Sequence, residues 1–229
     1  MKKYVNLFVF VFMIGACLSQ GRAQTKSAVS YKNPVVDIAM PDPTVIKAAD
    51  GYFYVYATES TRNVPIMKSK DLVEWTYCNT AFTNKTRPRF EPKAGIWAPD
   101  INYINNKYVL YYAMSVWGGE QTCGIGVATA NSPQGPFTDH GKMFRSNEIG
   151  VQNSIDPSLL QYEGRNYLVW GSFRGIYVIE LTEDGLSLKP GAEKKRIAGT
   201  AFEAAYIHKH GDYYYMFASI GSCCEGIRS

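Results

Sequence analysis

The chain is short of histidine, lacks a Cys-x-x-Cys motif and carries little net charge, and each shortage removes a class of function. Its histidines are His140, His208 and His210. With no Cys-x-x-Cys either, no zinc-ligand spacing is present. His208 and His210 alternate along a strand-like run, as a surface or edge pair would. The formal charge is +4, from 24 basic and 20 acidic residues. Lys2, Lys3 and Arg22 are the only charges before Gln24, so from there 21 basic residues face 20 acidic ones. This balance offers no electrostatic case for nucleic acid as a partner, which would need a clustered basic face. Beyond the first 23 residues, no apolar run approaches the roughly 20 residues of a spanning helix.

The start of the chain reads as a targeting segment. Lys2 and Lys3 lead into an apolar run from Val5 to Ala16, too short to span a bilayer but suited to a secretory signal. The spacing predicts a signal over residues 1–23 with cleavage after Ala23. Ile14-Gly15-Ala16-Cys17 also resembles a bacterial lipobox, which would lipidate Cys17. Both outcomes place the protein outside the cytoplasm: secreted, periplasmic or at the cell surface, with membrane contact only through an anchor at Cys17. Cys78, Cys123, Cys223 and Cys224 remain, and an oxidising compartment would allow three pairings that sequence does not separate.

What the chain does have is a repeat. Asp42 opens DPTVIKAADGYFYVYATES, Asp100 opens DINYINNKYVLYYAMS, Asp156 opens DPSLLQYEGRNYLVWGSF and Glu203 opens EAAYIHKHGDYYYMFAS. In each, an acid leads into a short apolar stretch, a polar turn, and an aromatic-rich run ending in a small residue. The openers lie 58, 56 and 47 positions apart, near the period of a β-propeller blade. Runs such as Tyr52–Tyr56 and Tyr213–Phe217 favour strands. Asp50-Gly51, Asn105-Asn106, Glu163-Gly164 and Gly211-Asp212 supply the turns. A further segment follows in each complete module, at 64–75, 124–137 and 175–188, and reads as strand, polar corner, strand. The expected fold is all-β, a propeller whose catalytic domain spans 24–229, roughly 205 residues with a sizeable core. The fourth module stops partway, so the chain is expected to be truncated within the fourth blade.

In a propeller the innermost strands line one central channel, so equivalent positions in successive blades converge. A lone Asp before Pro is usually a turn former. Four recurring carboxylates point instead to a shared funnel.

The ordered set MPDPTVI, SKDLVEW, GIWAPDI, NSIDPSLL, GSFRGIYVIEL and FEAAYIHKHGDYYYMFAS resembles glycoside hydrolase family 43, over roughly residues 33–229. WAPD, IDP followed by GSF, and EA followed by Cys223-Cys224-x-Gly226 are most similar to its arabinan endo-1,5-α-L-arabinosidases. The resemblance implies a five-bladed β-propeller and an inverting hydrolase acting on arabinan or a related arabinose- or xylose-containing polysaccharide. It implies Asp42 as general base, Glu203 as general acid, and Asp156 as the carboxylate that raises and orients the acid. Inversion asks for the same division: one carboxylate activates water while a protonated one, roughly 6.5 to 9.5 Å away, protonates the leaving oxygen. A neighbouring charge keeps the acid protonated nearer neutral pH. The resemblance further implies substrate-binding roles for Trp97, Asp100, Trp117 and Ser172. Aromatic faces suit the apolar C–H faces of sugars. For Asp100, substrate positioning and blade-corner hydrogen bonding both stay open; so does inter-blade packing for the tryptophans and a strand-end role for Ser172.

The chemistry implied requires no cofactor or metal. A structural calcium, held in the family along the axis with help from a late histidine, would need residues beyond Ser229. Pro41 stands where many arabinanases have a histidine before the base, which bears on the first subsite. Two rivals remain: an exo-acting α-L-arabinofuranosidase or β-xylosidase of the same family, and a propeller that binds carbohydrate without cleaving it. The chain has no S-x-D-x-G-x-T-W box and no W-D repeat, so other propellers fit worse.

Overall fold

The second strand of each module is apolar on both sides, and that determines where the core lies. In β6 (Lys107–Ser115), Tyr108, Leu110 and Tyr112 point into one cluster while Val109 and Tyr111 point into another. A strand with side chains alternating to opposite faces, both apolar, must be sandwiched between two neighbours. The computed structural model, which describes residues 30–221, shows that sandwich. The proposed signal segment, the lipobox at Cys17 and the Cys223-Cys224-x-Gly226 element lie outside the described residues. All strands belong to the unit that begins at Lys32.

Three four-stranded antiparallel sheets follow one another along the chain. The first runs β1 (Thr44–Lys47), β2 (Phe53–Tyr56), β3 (Pro65–Ser69) and β4 (Thr76–Thr80); the second β5 (Gly95–Ile104), β6, β7 (Gly124–Ala130) and β8 (Thr138–Arg145). A short helix, α1 (Ser146–Ile149), leads to the third, β9 (Ser158–Tyr162), β10 (Arg165–Trp170), β11 (Ile176–Glu180) and β12 (Lys195–Ala198). The hairpin β13 (Phe202–His210) and β14 (Tyr213–Ile220) comes last. Strand order in each sheet equals chain order, which is the meander of a propeller blade. The fold is thus three blades and the inner hairpin of a fourth.

The cores lie between blades. Tyr54, Tyr56, Ile66 and Phe82 of the first pack on Leu110 and Tyr112 of the second. Val109, Tyr111 and Ile125 pack on Leu168, Trp170 and Ile179 of the third. Val169 and Ile176 meet Ala205, Phe202 and Ile207 of the hairpin. Trp170 is fully buried, as an indole is when its N–H finds a partner; here it donates to Ser154 Oγ at 3.1 Å. β14, by contrast, has no neighbour beyond β13 among the described residues, and Tyr213, Phe217 and Ile220 are exposed.

The hairpin turns fall where the turn pairs predict. Ile104 pairs with Lys107 around Asn105-Asn106, both at positive φ, and Tyr162 pairs with Arg165 around Glu163-Gly164, also both positive. That is the two-residue turn that matches strand twist. The downstream segments differ from expectation in one respect. Each holds the third strand and the corner, but the fourth strand starts after the segment ends, at Thr76, Thr138 and Lys195. Cys78 and Cys123 are not disulfide-bonded; Cys123 is buried, with its sulfur 3.2 Å from Ser146 Oγ. Among the described residues, no helix is long and apolar enough to cross a membrane.

Candidate active site

Four residues hold their backbone in the left-handed region at one recurring place, two residues before β1 and β9 and at the pairing irregularities inside β5 and β13. They are Asp42 (φ 48°), Ala98 (φ 39°), Asp156 (φ 56°) and Ala204 (φ 52°). Three of them precede a proline, where the helical regions are disfavoured, and none is glycine, so the turn is strained at every recurrence. Strand pairing aligns the positions two residues further on: Thr44 with Tyr56, Asp100 with Tyr111, Ser158 with Val169, Tyr206 with Phe217. The four acidic openers are therefore not equivalent. Asp42 and Asp156 share a position, Glu203 sits one residue before it, and Asp100 two residues after it.

This offset sorts the acids spatially. Asp42, Asp156 and Glu203 line one open hollow of about 570 Å3, together with Trp97, Trp117 and Ser172. Asp100 lines a second hollow of about 710 Å3, to which Asp42, Asp156, Ala204 and Ser219 also contribute. The residues common to both form a waist between them. Most predicted site residues thus meet in one place, and Asp100 stands apart from them.

Each carboxylate is held by its own partners. Thr58 Oγ1 donates to Asp42 Oδ2 at 2.5 Å and accepts from the Ala98 amide at 2.7 Å, joining the base candidate to the next blade. The Ala204 amide faces Asp156 and favours its ionised form. Ser172, buried, donates from Oγ to Glu203 Oε2 at 3.1 Å, and the backbones of the two residues pair in an isolated antiparallel bridge. Asn153 Nδ2 donates to the Ser172 carbonyl at 3.0 Å. Gly171, just before, has no room for a side chain: a Cβ there would sit 2.2 Å from the Gly175 carbonyl oxygen. Thr58 and Asn153 escape a reading of sequence, because their roles rest on contacts with distant residues.

Burial, then the charges of Asp42 and Glu203, push the Asp156 carboxyl from 3.8 up to about 7, against the Ala204 amide. Burial and then Asp42 also raise Glu203, opposed by the Ser172 hydrogen bond. Neighbouring carboxylates titrate as a set, so a proton resides among them near neutral pH. The repulsion between Asp156 and Glu203 is mutual and the charge of Asp42 adds to it, so the three carboxylates hold protons to higher pH as a set.

Asp100 is buried and its carboxylate is fully engaged. Oδ2 accepts from the Leu159 amide at 2.8 Å and Asn102 Nδ2 at 2.7 Å, while Thr44 Oγ1 lies 3.4 Å from Oδ1. It joins three blades, and burial raises it to about 6 despite these bonds. Of the two expectations for Asp100, these bonds fit blade-corner hydrogen bonding. Trp97, half-buried, packs on Ala113, Cys123 and Ile155 while lining the hollow, so packing and site placement both hold. Trp117 is 79% exposed on the rim, a platform not used for packing. Its loop is pinned by Glu120, which the Arg174 guanidinium grips through two nitrogens at 3.0 and 2.8 Å.

Among the described residues, no group of three or more His, Cys, Asp or Glu converges as metal donors. His208 and His210 lie exposed on β13, as a surface pair.

Residues 31–228 match the sequence profile of glycosyl hydrolases family 43, and the chain belongs to that family. It is 36% identical over 202 residues to the extracellular endo-α-(1→5)-L-arabinanase 1 of Bacillus subtilis (strain 168), covering 82% of this chain and 61% of that protein. The chain thus spans about three-fifths of the length of that curated relative. Among solved structures, Cellvibrio cellulosa α-L-arabinanase complexed with arabinohexaose superposes with a TM-score of 0.73 at 29% identity, covering 82% of this chain and 66% of that one. An exo-1,5-α-L-arabinanase from a bovine ruminal metagenomic library gives 0.71 at 31% identity, covering 86% and 70%. With these likenesses the fold is the five-bladed β-propeller, of which the described residues form three blades and the inner hairpin of a fourth.

Proposed function

We propose that the protein is an inverting glycoside hydrolase that cleaves α-1,5-linked L-arabinan within the chain, and that it acts outside the cell in the breakdown of plant polysaccharide. The observation that supports this most is the meeting of Asp42, Asp156 and Glu203, from three blades, in one hollow beside an exposed tryptophan. In this reading Asp42, oriented by Thr58, takes a proton from water as its oxygen attacks the anomeric carbon. The bond to the leaving oxygen breaks on the opposite face, and Glu203, oriented by Ser172, gives that oxygen its proton. Asp156, coupled to Glu203 by the repulsion between their charges, raises the acid and orients it. Trp97 and Trp117 receive sugar faces. None of these roles calls for a cofactor.

The test is hydrolysis of debranched arabinan by Glu203→Ala beside the parent. A loss of about 10²- to 10⁴-fold in kcat is expected; equal rates would remove the acid assignment. The comparable likeness to an exo-1,5-α-L-arabinanase supports a second reading, exo action in the same hollow. Product analysis separates the two, since arabinose monomer as the main early product from linear arabinan would replace endo with exo. A propeller that only binds sugar would bind arabinan with no cleavage at all.

A further inference from the structure

A third hollow, of about 380 Å3, opens beside the cleft, lined by Arg62, Asn84, Arg87, Arg89, Glu91 and Lys93. Its residues come from the β2–β3 connection and from the segment joining β4 to β5. In an antiparallel meander those connections leave the sheet at the end where β1 begins, which is the end that bears Asp42. The two hollows share a wall: Met114 lines this one and Ser115 the cleft. Thr58 holds Asp42, and the next residue, Glu59, holds Arg87.

The charges here do not balance. Arg87 is buried and committed, forked on Glu59 and bonded to Asn63 Oδ1 and the Ala94 carbonyl. Glu91 is taken by Arg145 and Thr122. Arg62, Arg89 and Lys93 are exposed, and among the described residues no carboxylate lies within 4.0 Å of any of them. Two of these cations are oriented nonetheless. Arg62 Nε donates to Asn84 Oδ1 at 3.2 Å and Arg89 Nη2 to the Asn84 carbonyl at 3.0 Å. One N–H of each guanidinium is thereby used and four remain. In a chain whose fold is nearly neutral overall, three unmatched cations around one depression form a local field.

We propose that this hollow is a subsite for an anionic sugar, the carboxylate of a uronic acid residue borne by the polysaccharide that the neighbouring cleft cleaves. The proposal rests on the reading of that cleft as a glycosidase site. Two planar guanidiniums fixed by one asparagine present forked donors to a planar carboxylate, a match that point charges alone would not give. Pro92, exposed on the rim, adds an apolar face for the C–H side of the ring. Because the cations are exposed, the attraction is moderate and screened by salt.

The experiment uses the full chain and a tetragalacturonide as probe, with arabinohexaose as the neutral comparison. Calorimetric affinities are measured for the parent, for Arg62→Gln/Arg89→Gln and for Lys93→Gln, at about 0.05 and 0.5 M salt. The parent should bind the uronate probe, and the double variant should lose about tenfold more affinity for it than for arabinohexaose. Lys93→Gln should lose a smaller part in the same direction, and the parent's uronate affinity alone should fall steeply with salt. Hydrolysis of neutral arabinan by the same preparation reports on the cleft separately. A preparation that cleaves arabinan yet binds tetragalacturonide no more tightly than the double variant overturns the subsite and leaves the glycosidase standing. Binding of a sulfated oligosaccharide of equal length without binding of the uronate overturns it too.

Discussion

The hydroxyl of Thr58 stands between Asp42 and the backbone of the next blade, donating to Asp42 Oδ2 at 2.5 Å while accepting from the Ala98 amide at 2.7 Å. A hydroxyl can do both at once and few other groups of its size can. Thr58→Val keeps the shape and removes both bonds, so the Asp42 carboxylate loses its orientation and the amide its acceptor. The expected result is a fall in kcat of roughly 10- to 100-fold and a loss of about 1–2 kcal/mol of stability. Steady-state kinetics and thermal melts check the two parts. A variant with parental kcat would show that the base is oriented by something else.

Ser172 acts on the acid in a way that pH can reveal. Its hydroxyl favours the ionised form of Glu203, against burial and the charge of Asp42. Ser172→Ala therefore lets Glu203 hold its proton to higher pH. The alkaline limb of the kcat profile should move upward, while kcat itself falls on the order of tenfold as the carboxyl loses its anchor. A change in rate with an unmoved alkaline limb would mean that Ser172 merely packs.

Asp156 links the site to stability. An unfolded aspartate ionises near 3.8, whereas in the folded protein this one keeps its proton to about 7. Between those values the unfolded chain releases a proton that the native state retains, so native stability declines as pH rises through that window. Asp156→Asn has no charge to desolvate. Its Tm should exceed the parent's at about pH 8, and the difference should shrink towards pH 4. Activity should fall on the order of 10²-fold or more. A Tm difference independent of pH would refute the burial account of the shift.

The blades were legible in the sequence because β6 and β10 are buried on both faces and their turns need asparagine or glycine at positive φ. The fourth strands were not, since Thr76–Thr80 and Lys195–Ala198 lie at the periphery with largely exposed, polar side chains and no apolar period to mark them. The alignment of the acids failed for a different reason. Irregular pairing between Trp97 and Asp100, and again between Glu203 and Tyr206, shifts register within β5 and β13. A bulge displaces a side chain by a residue while leaving no trace in composition. The family motifs supplied Asp42, Asp156 and Glu203 as a set. Thr58, which holds Asp42, and Asn153, which holds the Ser172 carbonyl, could be found only once distant segments were brought together.

Asp100 shows what the displaced acid is for. Its Oδ2 takes the Leu159 amide of the third blade and Asn102 of its own, and its Oδ1 faces Thr44 of the first. An amide in its place has one acceptor oxygen and turns an NH2 towards a donor. Asp100→Asn should therefore cost about 1–3 kcal/mol, a Tm lowered by roughly 5 °C for a chain of this size. Because the carboxylate is spent on the blades, KM for arabinan should stay within about twofold of the parent, a difference below 0.5 kcal/mol. Substrate contact predicts the opposite pair, a raised KM with an unchanged Tm. Measured together, KM and Tm assign Asp100 either to the frame of the propeller or to the sugar.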